Sequence, residues 1–147
     1  MGTCSICDFI GSRNSKEILW FSDKPIQVAS FVHPDESLYT GRCIVVPEEH
    51  VEKIRDFKDT KAYVSVVETA SILQHAIEIA FNPDSFYILY NQDQGHFHLD
   101  VIPIYKNQVH GLDPDILNQP FNSNPMPAKL QEQLQERIAK AIEEILG

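Results

Sequence analysis

Basic residues are scarce in this chain. Lysine and arginine together number 12 of 147 residues, against 21 aspartates and glutamates, for a formal net charge of −9. Such an acidic balance argues against non-specific binding to nucleic-acid backbone or anionic membrane. It leaves room for a small phosphorylated ligand held in a local pocket. No apolar run reads as long enough to span a bilayer. The N-terminus has no charged region leading into an apolar one, so no signal peptide is expected, and the expected compartment is the cytoplasm. Cysteine is sparse as well, with three in all. Cys4 and Cys7 form a C-x-x-C pair, which in a cytosolic chain more often holds a metal or does redox work than forms a structural disulfide. A thioredoxin-like role would need a buried strand before the pair, and nothing precedes it. Cys43 lies inside an apolar run and reads as core. No internal repeat or second domain is evident, so residues 1–147 are expected to form one domain. With 43% hydrophobic and 22% charged residues the chain should be globular.

The apolar pattern is readable along most of the length. Glu17–Phe21, an Asp23-Lys24-Pro25 turn and Ile26–Phe31 read as a β-hairpin. Gly41-Arg42-Cys43-Ile44-Val45-Val46-Pro47 reads as a buried strand closed by proline. Tyr63, Val66, Val67, Ala70, Leu73, Ile77 and Phe81 recur at spacings of three and four, predicting a helix over 59–81. Asp59 or Thr60 can cap its start, and Asn82-Pro83 stops it. Ser85–Asn91 and Phe97–Tyr105 read as further strands. Residues 107–127 read as an irregular surface segment. Pro127 then opens a final helix whose stripe is Leu130, Leu134, Ile138, Ala141, Ile142 and Ile145. The fold class expected is α+β: an antiparallel sheet of about five strands with two main helices, the second at the C-terminus.

The richest stretch is Gly95-His96-Phe97-His98-Leu99-Asp100-Val101-Ile102-Pro103. Histidine, histidine and acid alternate with apolar residues at period two. In a strand His96, His98 and Asp100 would line one face, while Phe97, Leu99 and Val101 pack on the other. Imidazoles at that spacing can bind a metal or attack a phosphate.

These residues resemble the histidine-triad family, a superfamily of small nucleotide hydrolases and transferases. Its motif is His-φ-His-φ-His-φ-φ, with φ apolar and a proline commonly next, and it matches residues 96–103 with Asp100 in place of the third histidine. Gly41-Arg42-Cys43-Ile44-Val45-Val46-Pro47-Glu48-Glu49-His50 resembles the family's Gly-His-x-φ-φ-φ-Pro-Lys-x-His segment. Cys4-Ser5-Ile6-Cys7 resembles the N-terminal pair of zinc-containing members. The likeness covers residues 4–106. Two further departures stand out. The family's glycine-rich loop before the motif is reduced to Gln92-Asp93-Gln94-Gly95. The aspartate after the second strand is missing from Phe31-Val32-His33-Pro34, although Asp35 is close by.

What the resemblance implies is specific. Cys4, Cys7, His50 and His96 match a tetrahedral Cys₂His₂ set for one structural zinc. His98 matches the histidine that attacks the α-phosphate of a nucleotide, giving a nucleotidyl-histidine that water then hydrolyses. Asn91 and His96 are candidate substrate contacts. Asp100 is a candidate catalytic residue at the position that helps the leaving group depart. If bare and ionised it would oppose a phosphate by about 4 kcal/mol at ~4 Å and an effective dielectric near 20; a protonated Asp100 could instead donate, or it could orient His98. His33, His75 and His110 carry less weight; Arg42 and Lys106 could supply positive charge, although solvated surface is the readier reading of each. The implied activity is hydrolysis or transfer on a nucleotide conjugate, a phosphoramidate or a dinucleoside polyphosphate. A homodimer is implied by analogy, since the family often pairs two subunits into a continuous sheet. Two other readings stay open. One is a non-catalytic nucleotide-binding module of the same fold. The other is a metallohydrolase built on His96-x-His98-x-Asp100, although that run normally continues into another histidine and here Val101 follows.

Overall fold

The computed structural model describes residues 4–12, 19–22, 28–33, 39–91, 95–106 and 126–147. The Asp23-Lys24-Pro25 turn, the loop at 92–94, Asp35, His110 and nearly all of the segment at 107–127 lie outside them. Five strands form one antiparallel sheet in the order β1-β2-β3-β5-β4. They are β1 (Trp20–Ser22), β2 (Val28–Val32), β3 (Cys43–Pro47), β4 (Ser85–Asn91) and β5 (His98–Ile104). The α+β reading and the strand count follow the sequence expectation.

β3 and β5 are buried along their whole length. Each has a strand on both sides and packed residues on both faces. Val28, Val32, Cys43, Val45, Phe97, Leu99 and Val101 meet the long helix α2 (Thr60–Phe81) through Val66, Ala70, Leu73 and Ile77. Helix α3 (Ala128–Leu146) joins that core with Leu134, Ile138, Ala141 and Ile142. Each strand thus spends alternate side chains on this core, and the residues between them are left for the opposite face.

The end signals of α2 work as their chemistry requires. The Asp59 side chain accepts from the Lys61 N–H at 2.9 Å, capping the N-terminus. Asn82 closes the helix in the left-handed region at φ 50°, ahead of Pro83. Arg137 of α3 donates to the Ala80 carbonyl and lies 4.4 Å from the centroid of the Phe81 ring, fastening the two helices end to side. Gly41 sits under that ring with φ +91°, and an added Cβ would come 2.8 Å from Phe81. Glycine is therefore required there on two counts.

Two features depart from the sequence expectation. Helix α1 (Ser5–Ser12) forms directly on the C-x-x-C segment. Eight residues make two turns, too few for a 3.6-residue period to declare itself. Its Ile6 packs against Ala29, Phe31, Ile44 and Val46 on the face of the sheet away from α2. A short 3₁₀ turn (Ile54–Asp56) follows β3. In addition, α2, at 22 residues with a mean hydropathy of 1.2, is long and apolar enough to cross a membrane, which the sequence reading had excluded. The reason is plain: α2 is a core helix, and its apolar character comes partly from the buried stripe that packs on the sheet.

Candidate functional site

Register fixes which side chains share the face opposite α2. Ile44 lies opposite Asp100, so Val46 falls opposite His98 and Arg42 opposite Ile102. On the other side Leu89 pairs with Asp100 and Asn91 with His98. The period-two reading therefore holds: His96, His98 and Asp100 are turned away from the α2 core, and all three are buried.

At the N-terminal end of β5 four ligand-type side chains converge. Cys4, Cys7, His50 and His96 bring their donor atoms within 4.8 Å of one another. Helix α1 arranges the sulfurs. Cys4 accepts the first intrahelical bond, from Asp8 N–H at 2.9 Å, and its Sγ accepts from the Cys7 N–H at 3.4 Å, as an N-cap side chain does. The i, i+3 spacing then puts both sulfurs on one side of the helix. The His96 Nε2–H donates to the Pro47 carbonyl at 2.9 Å, which leaves Nδ1 to face the sulfurs, 3.2 Å from Cys7 Sγ and 3.5 Å from Cys4 Sγ. His50 Nδ1 lies 3.3 Å from Cys7 Sγ, and its Nε2 lies 3.7 Å from Glu52. His50 reaches the cluster because Phe97 N–H donates to the Val51 carbonyl, tying the segment after β3 to the start of β5.

The electrostatics suit a cation. Burial, then the neighbouring Cys4 thiol and Asp8, push the Cys7 thiol up to about 11. Burial also lowers the His96 pKa, against the Pro47 hydrogen bond and with help from His50 and His98, so the ring is neutral and keeps a lone pair. Crowded thiols are poorly ionised by themselves, whereas a dication would hold them as thiolates. Two sulfurs and two imidazoles, one with its far nitrogen fixed on a carbonyl and the other near a carboxylate, are a donor set that fits zinc.

Two residues along, the His98 Nδ1–H donates to the His96 carbonyl at 3.1 Å. This assigns the proton to Nδ1 and the lone pair to Nε2, the tautomer a nucleophilic imidazole needs. Asn91 stands beside it on β4. His96 was a candidate for substrate contact as well as metal, and its two ring nitrogens are turned to Pro47 and the sulfurs.

Asp100 is not a bare carboxylate. Arg42 grips it in a fork: Nε donates to Oδ1 at 2.8 Å and Nη2 donates to Oδ2. The two side chains are 7% and 5% exposed. Arg42 is thus a buried ion-pair partner, in contrast to the solvated residue the sequence suggested. The sequence did hold a signal for it. The two positions where the family motifs have histidine and this chain does not, 42 and 100, carry opposite charges on neighbouring strands. His75 is exposed on α2. His33 is buried at the end of β2, and its N–H donates to the Arg42 carbonyl at 2.9 Å.

The His-x-His-x-Asp metallohydrolase set does not assemble. His96 turns to the cysteines, His98 to a backbone carbonyl and Asp100 to Arg42.

No family model matches the chain, and no curated protein does. Solved structures do match. A hypothetical histidine triad nucleotide-binding protein from Sulfolobus tokodaii superposes with TM-score 0.71 at 21% identity, over 97% of this chain and 93% of that one. A zinc-bound histidine triad family protein from Mycobacterium smegmatis gives 0.68 at 14% identity, over 97% and 95%. The diadenosine triphosphate hydrolase of Plasmodium falciparum, solved with cyclomarin A, gives 0.62 at 15% identity, over 91% and 79%. At these identities the likeness is one of fold, and the chain has the histidine-triad fold.

Proposed function

We propose that this protein is a nucleotide hydrolase or nucleotidyl transferase that acts through a nucleotidyl-His98 intermediate. The observation that carries the reading is the His98–His96 carbonyl hydrogen bond, which sets the attacking tautomer on a buried strand of the histidine-triad fold. His98 Nε2 attacks the α-phosphate of a nucleotide conjugate, a phosphoramidate or a dinucleoside polyphosphate. The leaving group takes the electron pair of its bond to phosphorus, and water then cleaves the phosphorus–nitrogen bond. Asn91, paired with His98 in register, would donate to a phosphate oxygen.

Cys4, Cys7, His50 and His96 would hold one zinc per chain. Four protein ligands would leave no open position, so a metal held there would staple α1 and the segment after β3 to the strand that carries His98. The protein would be a homodimer paired through β4. That strand is an edge of the sheet, with Tyr87 at 43%, Ile88 at 38% and Tyr90 at 51% exposure. An apolar edge with unpaired backbone groups favours a second strand. Among the described residues the three thiols are unbridged, which suits the reducing cytoplasm. Helix α2 belongs to the core, so no membrane partner is proposed.

A fluorogenic AMP conjugate tests the central claim. The wild type should turn it over, and His98→Ala should lose that turnover with its fold and metal intact. Wild-type turnover in His98→Ala would overturn the assignment. Nucleotide binding with no turnover in either protein would favour the non-catalytic module.

A further inference from the structure

The chain departs from the histidine-triad motifs at Arg42 and at Asp100, and the structure joins the two departures in one buried fork. Asp100 takes the Nε–H and one Nη2–H of the guanidinium. Among the described residues, no acceptor meets its three other N–H groups. A buried cation with unmet donors carries a desolvation penalty that an anionic ligand can relieve. Asp100 follows His98 by two residues on the same strand face, so the fork lies within one side-chain length of that ring.

We propose that Arg42, held by Asp100, is the phosphate-binding cation of this site, and that the pair confines the protein to nucleotide conjugates whose leaving group departs as an anion. Acid anhydrides of phosphate are of that kind and phosphoramidates are not. The inference rests on the proposed role of His98. When His98 Nε2 bonds to the α-phosphorus of an anhydride, the bridging oxygen leaves with its electron pair as a phosphate oxyanion. A guanidinium stabilises that charge and needs to give up no proton. A phosphoramidate leaves through nitrogen, which must gain a proton to depart as an amine.

Neither residue of the fork can supply that proton. A guanidinium serves as a hydrogen-bond donor and point of positive charge and is no proton source for a leaving amine. Both oxygens of Asp100 already accept from Arg42. His33, just past the end of β2, pairs with Arg42 through its backbone and stands two strands across and four residues along from His98, about 16 Å between Cα atoms at ordinary sheet spacings. Asp100 is therefore a positioning residue and Arg42 a substrate-binding one.

The test is a matched pair of substrates, diadenosine 5′,5′-triphosphate and an adenosine 5′-phosphoramidate of tryptamine, with the zinc content of every sample measured. Wild type should favour the anhydride on the order of a hundredfold in kcat/KM, the range that general acid catalysis at a leaving nitrogen accounts for. The neutral pair Arg42→Gln with Asp100→Asn should lose about tenfold or more on the anhydride, chiefly in KM, while zinc and melting temperature hold. Exchange of both residues for histidine should raise phosphoramidate turnover relative to anhydride by about tenfold or more, which also serves if the neutral pair fails to fold. Comparable wild-type turnover of both substrates would overturn the inference and leave the proposed function standing. A ratio unchanged in the histidine exchange would do the same. Turnover of neither substrate, together with no binding of AMP, would overturn both.

Discussion

Asp100→Asn should destabilise this protein severely, although charge alone argues the reverse. An isolated carboxylate in a phosphate site is repulsive, and neutralising it would help. Here the carboxylate is the partner of a guanidinium whose side chain is 7% exposed. Asparagine can still accept through its oxygen, but its amide presents N–H groups to the donors that Oδ1 or Oδ2 had met. Breaking one side of a buried ion pair costs about 3–5 kcal/mol, because the remaining charge stays desolvated. In a domain of this size each kcal/mol is worth roughly 2–4 °C, so the melting temperature should fall by roughly 6–20 °C. Thermal unfolding followed by circular dichroism reads this directly. Arg42→Gln combined with Asp100→Asn removes both charges and should recover most of the loss, since replacing a whole buried pair is often neutral. The reasoning is refuted if Asp100→Asn melts within about 2 °C of wild type, for the guanidinium would then be effectively solvated.

Three further outcomes are expected. Elemental analysis should find one zinc per chain, and Cys4→Ser should lose it and melt lower, since metal binding contributes folding free energy; metal-free protein of undiminished stability would count against the site. Ile88→Lys, at an exposed position on β4, should turn a dimer into a folded monomer in analytical ultracentrifugation. Gly41→Ala should cost about 1–3 kcal/mol, because alanine is strained at this positive φ and its methyl group meets Phe81; an unchanged midpoint in urea would show that the loop yields freely.

The two periodicities carried most of the fold. Period two in β5 and period 3.6 in α2 and α3 placed Phe97, Leu99, Val66, Leu73, Ile138 and their neighbours in one core, and the structure has them there. Edges were less exact. The strand read over 97–105 runs His98–Ile104, and the one read from Gly41 begins at Cys43. The cluster of cysteines and histidines was legible in part, because Cys4 and Cys7 declare themselves by spacing, and His50 and His96 came only through the family motifs. Helix α1 was not legible, being too short to show a period.

The sequence by itself determined what alternates with what, and so which residues turn from the core and which chemistry they bring. Arg42 escaped it, because a side chain 58 residues away from Asp100 becomes its neighbour only when β3 and β5 pair. Whether Asp100 stands as a bare carboxylate or as the partner of a buried cation was decided by that pairing. A charge acts through what lies within a few ångströms of it, and the tertiary fold alone sets those distances.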